Sequence, residues 1–227
     1  AEERASASGF FTVIRRTSAE TGRLVAVPYS REYETELKAA ASLLREAAGL
    51  TAQPTLGAFL EARADAFLSN DYYASDLRWM ELDASVEPTI GPYEVYEDEW
   101  FNAKAAFEAF IAVRDDGETA RLAKLGSCLQ EIEDRLPIDA RHRNSKLGEL
   151  APIRVVNLVY ASGDASKGVQ TVAFNLPNDE RVVRERGAKR VMMRNVQEAK
   201  FRLVLEPIAA RVLGPDARRN LSFDAFF

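Results

Sequence analysis

Short apolar runs separated by polar segments predict the strands of this chain. Two such runs, 10–16 and 24–28, are rich in β-branched residues and are joined by the turn-prone segment 17–23. Two runs around a turn are typical of a β-hairpin. Similar runs predict further strands at 89–96, 153–160, 169–174 and 189–194.

Apolar residues three and four positions apart predict helices between these strands. One helix is predicted over 30–49 and a second from Thr55 onward. Segment 118–136 predicts one continuous amphipathic helix, and segment 196–213 predicts another. Segment 105–113 suits a helix by propensity, whereas its large apolar residues also suit a strand. The pattern as a whole therefore predicts an α+β fold.

Composition narrows the classes of partner. The chain has 227 residues, which is enough for one large domain or two small ones. It carries 30 Lys and Arg against 35 Asp and Glu, so its net charge is −5. This balance argues against nucleic acid as the main partner. No stretch approaches the roughly 20 consecutive apolar residues of a membrane span. The sequence does not distinguish a cytoplasmic from a periplasmic location, because a single cysteine is compatible with either compartment.

Histidine and cysteine are scarce. The chain has one histidine, His142, and one cysteine, Cys128. A disulfide within the chain and a zinc site built from four Cys and His ligands are therefore excluded. Cys128 falls between Leu125 and Leu129 on the apolar stripe of its predicted helix, so we expect it in the core. His142 lies in a basic loop, where we expect it to be solvated.

Two clusters of charge could bind ligands. Seven carboxylates and no Lys or Arg lie between residues 81 and 99: Glu81, Asp83, Glu87, Glu94, Glu97, Asp98 and Glu99. Carboxylates beside a strand can hold a cation or a substrate ammonium group, although a solvated acidic surface has the same composition. The basic residues of 181–194 suit an anion site or a surface that complements the acidic region.

Three segments together resemble the dipeptidyl peptidase III family of zinc metallopeptidases, family M49. They are 87–111, with its IGPYEVYED motif, 171–196, with its NLPND motif, and 222–227. The segments SNDY at 69–72 and WMELD at 79–83 are similar to the bacterial branch. The resemblance extends over most of the chain. It implies a two-lobed peptidase in which a short peptide adds as an extra strand to the edge of a barrel-like sheet.

The resemblance also implies roles for five residues. Glu94 matches the carboxylate that holds the free ammonium group of the peptide, and Asn178 joins it there. Tyr96 matches the tyrosine that donates to the developing oxyanion, a role that suits a phenol in a dry site. Asn175 matches an asparagine beside the backbone of the first peptide residue. Arg190 stands where the family has a substrate-contacting asparagine.

The zinc ligands of the family are missing from this sequence. The family binds zinc through a His-Glu-x-x-(x)-His helix and a distant Glu, and the helix glutamate activates water. In the bacterial relatives this helix follows soon after the FDAFF segment that here spans 223–227. We therefore expect the chain to be an internal fragment that holds no cofactor itself, whereas the parent protein binds zinc.

The sequence thus predicts one α+β region over residues 1–227, the peptide-binding part of a zinc dipeptidyl peptidase. Its sheet is expected to be mixed or antiparallel and barrel-like, with flanking helices and with strands near 10–28, 89–113, 153–174 and 189–194. We expect short peptides as ligands and self-association through an exposed lobe interface. Two alternatives stay open: a non-catalytic peptide-binding module, or a hydrolase named for a nudix domain elsewhere in the parent protein.

Overall fold

The computed structural model describes residues 6–18, 22–96, 98, 101–145, 153–167, 170–214 and 221–227. Its strands are β1 (Thr12–Arg16), β2 (Leu24–Pro28), β3 (Val86–Glu94), β4 (Ala106–Arg114), β5 (Ile153–Gly163), β6 (Ala173–Leu176) and β7 (Lys189–Met193). Its helices are α1 (Tyr29–Glu32), α2 (Glu34–Leu50), α3 (Pro54–Ser69), α4 (Tyr73–Met80), α5 (Asp116–Ser127), α6 (Leu129–Asp134), α7 (Glu180–Arg186), α8 (Arg194–Lys200), α9 (Glu206–Leu213) and α10 (Phe223–Phe226).

The chain forms two compact units. The first unit comprises Ala1–Ile111, Tyr160–Val169 and Pro177–Gly187. The second comprises Ala112–Val159, Gln170–Leu176 and Ala188–Phe227. Strands β4 and β5 each contribute residues to both units.

The first unit contains the predicted β-hairpin and a layer of helices. Strands β1 and β2 pair antiparallel, with Thr12 opposite Pro28. Helices α2 and α3 pack on each other and bury the apolar face that their spacing predicts. Trp79 on α4 is fully buried, and its Nε1 donates to the Pro88 carbonyl at 3.0 Å, so this helix is fixed against β3.

The main sheet has five strands in the order β3-β4-β5-β7-β6. Strand β5 runs parallel to β7, and β6 runs antiparallel to it, which confirms the predicted mixed sheet. Strands β3 and β6 are at the two ends of this order, so the described strands form an open sheet rather than a closed barrel. The α+β class is confirmed, and barrel-like describes the sheet only loosely.

In the second unit, the predicted helix over 118–136 is divided in two. Helix α5 ends at Ser127 and α6 begins at Leu129, and Cys128 between them forms a turn with φ −98° and ψ −1°. Cys128 is exposed, so the expectation of a core cysteine is wrong. The described side chains of this segment are exposed or half-buried, and their apolar stripe therefore does not form a core.

Three further predicted segments can be compared with the structure. Segment 105–113 is strand β4. The strand predicted at 169–174 overlaps β6 only at its last two residues, because β6 begins at Ala173, residues 170–172 are not in a strand, and Val169 lies outside the described residues. The helix predicted over 196–213 contains a π-helical segment, Phe201–Leu205, immediately before the first turn of α9. In the described part of the chain, no helix combines the length and hydropathy of a membrane span.

Candidate functional site

Glu94 and Tyr96 lie at the end of β3 in the first unit. Glu94 is the last residue of the strand and is half-buried, and its Oε1 accepts a hydrogen bond from the Tyr96 backbone N–H at 2.7 Å. This bond restricts the carboxylate and the two residues after it to one local turn. Tyr96 is 80% exposed, so it lies at the surface of this unit and not in the dry site that an oxyanion donor suits.

Asn178 is held next to Glu94 through the main chain. Its Nδ2 donates to the carbonyl of Tyr93, the residue before Glu94, at 2.8 Å. On its other side, Asp179 caps helix α7 by accepting from the Arg181 N–H at 2.8 Å. Glu94 and Asn178 are thus connected through the main chain of β3, but Glu94 lines the cavity described next, whereas Asn178 lines a different cavity together with Tyr93 and Asp76.

An acidic cavity of about 420 Å³ opens beside Glu94. Glu94, Asp98 and Asp164 line it together with Lys104, and aromatic rings form part of its wall. The Lys104 ammonium group donates to the carbonyls of Ala7 and Gly9 and to the Thr12 hydroxyl, at 2.6 to 2.8 Å. Three carboxylates and one lysine line the cavity, and this excess of negative charge favours a cationic ligand.

Two of these carboxylates affect the pKa of Glu108 on β4. Burial raises its pKa to about 7, and the charges of Glu94 and Asp164 contribute in the same direction. Two like charges close to a half-buried carboxyl disfavour its ionised form. The electrostatics therefore agree with the cavity geometry in placing several carboxyl groups close together.

Asn175 and Arg190 are direct neighbours in the second unit. They are cross-strand partners where β6 pairs with β7. Asn175 is exposed on β6, the last strand in the sheet order, and Arg190 is half-buried. The main-chain groups of a strand at this position can pair with an extended peptide.

The other carboxylates of the predicted acidic region differ in their burial. Glu81 and Asp83 are exposed as expected for a solvated surface, whereas Glu87 inside β3 is only 1% exposed. Glu97 and Glu99 lie outside the described residues.

A buried ionic cluster under β3 is not apparent from sequence. Arg63 on α3 is fully buried, and Asp76 on α4 and Tyr93 on β3 surround its guanidinium group. Burial raises the pKa of Tyr93, so its hydroxyl keeps its proton and donates to Asp76 Oδ1 at 2.7 Å. The Gly-Pro step at 91–92 is the one sequence signal, since glycine in a strand often marks a close approach.

The described residues do not fit a zinc site. Within these ranges, no group of three or more His, Cys, Asp and Glu side chains is arranged to hold a metal ion. His142 is exposed, as expected, and its Nε2 accepts from the Arg141 Nε at 3.2 Å. Cys128 and His142 therefore form no part of a metal centre in this part of the molecule.

Comparison with known proteins gives consistent results. The sequence profile described as "Peptidase family M49" matches residues 6–208. The structure of dipeptidyl-peptidase III from Corallococcus sp. strain EGB is 63% identical with a TM-score of 0.83, and the match covers all of this chain and 42% of that one. DPP III from Caldithrix abyssi is 50% identical with a TM-score of 0.90, and 43% of that chain is covered.

One curated relative has a different name. "Nudix hydrolase 3" from Arabidopsis thaliana is 45% identical over 244 residues, and the match covers all of this chain but 31% of that protein. The chain therefore spans less than half of the length of each of these relatives.

Proposed function

Since this chain belongs to peptidase family M49, we propose that it provides the peptide-binding part of a dipeptidyl peptidase III-like enzyme. The whole protein would release dipeptides from the N-termini of short peptides. Its zinc ligands would come from residues other than those described here, because the described residues do not fit a zinc site. The chain itself would bind peptide and have no peptidase activity.

The geometry around Glu94 carries this proposal. Glu94 lines the acidic cavity, and Asn178 is fixed to the carbonyl one residue before it. A carboxylate and an amide oxygen are both acceptors for the N–H groups of an ammonium ion. An exopeptidase that counts residues from the N-terminus needs such an anchor for the free amine.

In the second unit, strand β6 would pair with a peptide backbone. Asn175 is exposed on this strand, and Arg190 lies opposite it. Main-chain hydrogen bonds give affinity with little selection among side chains, which suits a peptidase that accepts varied short peptides. In this proposal Asn175 and Arg190 contact the backbone of a peptide that is paired with β6. For Tyr96 in the first unit, the resemblance supports donation from its phenol to the oxyanion that forms at the scissile carbonyl.

Calorimetry with paired peptides tests the anchor. We expect Glu94→Gln to weaken binding of a free N-terminus by about 10- to 100-fold, as for loss of a charged hydrogen bond. Binding of the N-acetylated peptide should hardly change. Glu46→Gln, at an exposed position on α2, is the matched control and should bind like the wild type. Equal binding of the free and acetylated peptides by the wild-type protein would contradict the proposal.

The name of the Arabidopsis relative suggests a second candidate, a hydrolase of the nudix type. This chain corresponds to 31% of that protein, so the named activity can belong to another region. A zinc-titrated assay with dipeptidyl-arylamide substrates separates the candidates. We expect activity from the full-length protein and none from this chain; cleavage by this chain alone would overturn the division of roles proposed here.

A further inference from the structure

Arg63 is a fully buried arginine in the first unit. Its side chain is 0% exposed, although arginine is rarely buried completely without a partner. Its Nη2 donates to Asp76 Oδ1 at 2.7 Å and also donates to the Tyr93 hydroxyl. Because Tyr93 donates in turn to the same Asp76 oxygen, the three side chains form a closed hydrogen-bonded triangle.

Aromatic rings enclose the remainder of the guanidinium group. Its Cζ lies 5.4 Å from the ring centre of Phe59, 5.3 Å from that of Tyr72 and 5.2 Å from that of Tyr93. Its Nε and Nη1 are buried and have no hydrogen-bond partner among the described residues. A buried ion pair with unsatisfied donors is often no more stabilising than apolar residues of similar volume. Stability alone is therefore a weak explanation for an arginine at this position.

The guanidinium group lies directly against the backbone of β3. A Cβ atom added to Gly91 would be 2.8 Å from Arg63 Nη1 and 3.1 Å from Tyr93 Cε2. Arg63 thus contacts the strand on both sides of Pro92, at Gly91 and at Tyr93. The next residue after these contacts is Glu94, and the Tyr93 carbonyl is the group that holds Asn178.

We propose that Arg63 is a positioning residue for the N-terminal amine site. It fixes the end of β3, so that the Tyr93 carbonyl orients Asn178 and the strand presents Glu94 to the acidic cavity. The part of this inference that concerns substrate rests on the proposed function, whereas the part that concerns the strand end does not.

Arg63→Lys in the full-length protein is the central test, because lysine keeps the charge but lacks the planar fork that bridges Asp76 and Tyr93. Tyr93→Phe, which removes only the hydroxyl, is the milder second variant. Leu44→Ala is the control for a general loss of stability, since Leu44 is a core residue of α2 that is 8% exposed.

Two measurements are made on each variant. Amide hydrogen exchange should become faster at residues 93–96 in Arg63→Lys and Tyr93→Phe than it does in Leu44→Ala when the melting temperatures are equal. Affinity for a peptide with a free N-terminus should fall about 10- to 100-fold, as expected for small misplacements of binding groups. Affinity for the N-acetylated peptide should be nearly unchanged, and for the active enzyme KM should rise more than kcat falls.

The outcomes separate this inference from the proposed function. Amide exchange at residues 93–96 that matches Leu44→Ala in both variants would overturn the positioning role, whatever the peptide results are. Faster exchange with wild-type affinity for the free N-terminus would also overturn it, because the strand end would then not control the site. A wild-type protein that does not distinguish the two peptides would contradict the proposed function and leave the exchange test in force.

Discussion

The side-chain amide of Asn178 donates a 2.8 Å hydrogen bond to the main-chain carbonyl of Tyr93. The two residues are 85 positions apart, yet this bond places Asn178 next to the strand residue that precedes Glu94. Strand β3 therefore has a buried side, where Tyr93 meets Arg63, and an outer end that holds Asn178 and carries Glu94.

Removal of this amide should affect both stability and binding. We expect Asn178→Ala to lower the free energy of unfolding by about 1 kcal/mol, because a part-buried carbonyl loses its donor. Affinity for peptides with a free N-terminus should also fall. Urea unfolding and calorimetry measure the two effects.

Asn195→Ala is the matched control for that variant. Asn195 in the second unit also bonds to the backbone through its amide, donating to the Leu158 carbonyl at 2.8 Å. Its Oδ1 also accepts from the Leu158 N–H at 2.9 Å, so we expect at least as large a loss of stability, without a loss of peptide affinity. If both asparagine variants weaken binding equally, Asn178 has no specific part in the site.

Much of the secondary structure is predictable because it depends on local pattern. The hairpin of β1 and β2 and the paired helices α2 and α3 have the expected spacing of apolar residues. The segment 118–136 has an equally regular pattern, yet it breaks at Cys128 and buries none of its described side chains. Periodicity indicates which face could be buried, but not whether another surface covers it.

The candidate site is likewise predictable from the sequence only in part. Motif resemblance selects five candidate residues: Glu94, Tyr96, Asn175, Asn178 and Arg190. The pairing of Asn175 with Arg190 depends on the strand register, which the sequence does not reveal. Arg63 could not be selected, because an arginine on a helix is expected at the surface. Its partners lie 13 and 30 positions away, so only the tertiary fold brings them together.

Gly91→Ala should be strongly destabilising for its size. The added methyl group would lie 2.8 Å from Arg63 Nη1, and both the buried guanidinium and the strand resist movement. We expect a loss of about 1 to 3 kcal/mol in the free energy of unfolding, typical of overpacked cores. Chemical denaturation measures this loss.

Gly49→Ala is the comparison variant, and we expect it to change the free energy of unfolding in the opposite direction. Gly49 lies within helix α2, and a Cβ atom there would meet nothing within 4 Å. We expect a gain of about 0.5 to 1 kcal/mol from the better helix propensity of alanine. Equal effects of the two substitutions would show that the space at Gly91 is not limiting.

Glu108 should make stability depend on pH around neutrality. Its pKa is raised from 4.5 to about 7, so the folded state binds more protons than the unfolded state between these values. Its contribution is therefore fully present below pH 4.5 and is lost as the pH rises through 7. A shift of this size corresponds to at most roughly 3 to 4 kcal/mol.

Glu108→Gln, which stays uncharged at every pH, should remove this dependence. The variant should gain stability relative to the wild type at pH 8 and gain little at pH 5, as measured by urea unfolding at both values. Glu46→Gln at an exposed position on α2 should show no such difference. A constant offset between Glu108→Gln and the wild type at both pH values would contradict the assigned titration.

The two phenylalanines that pack on Phe201 should differ in their effect on stability. Phe223 is 8% exposed, its ring centre is 5.9 Å from that of Phe201, and the Arg194 guanidinium lies 5.3 Å from it. Phe226 is 5.2 Å from Phe201 but is 47% exposed. We expect Phe223→Ala to cost about 3 kcal/mol and Phe226→Ala clearly less, since the cost follows burial rather than ring contact. Denaturant unfolding monitored in the second unit distinguishes them, and equal losses would mean that contact with Phe201 alone determines the stability of this segment.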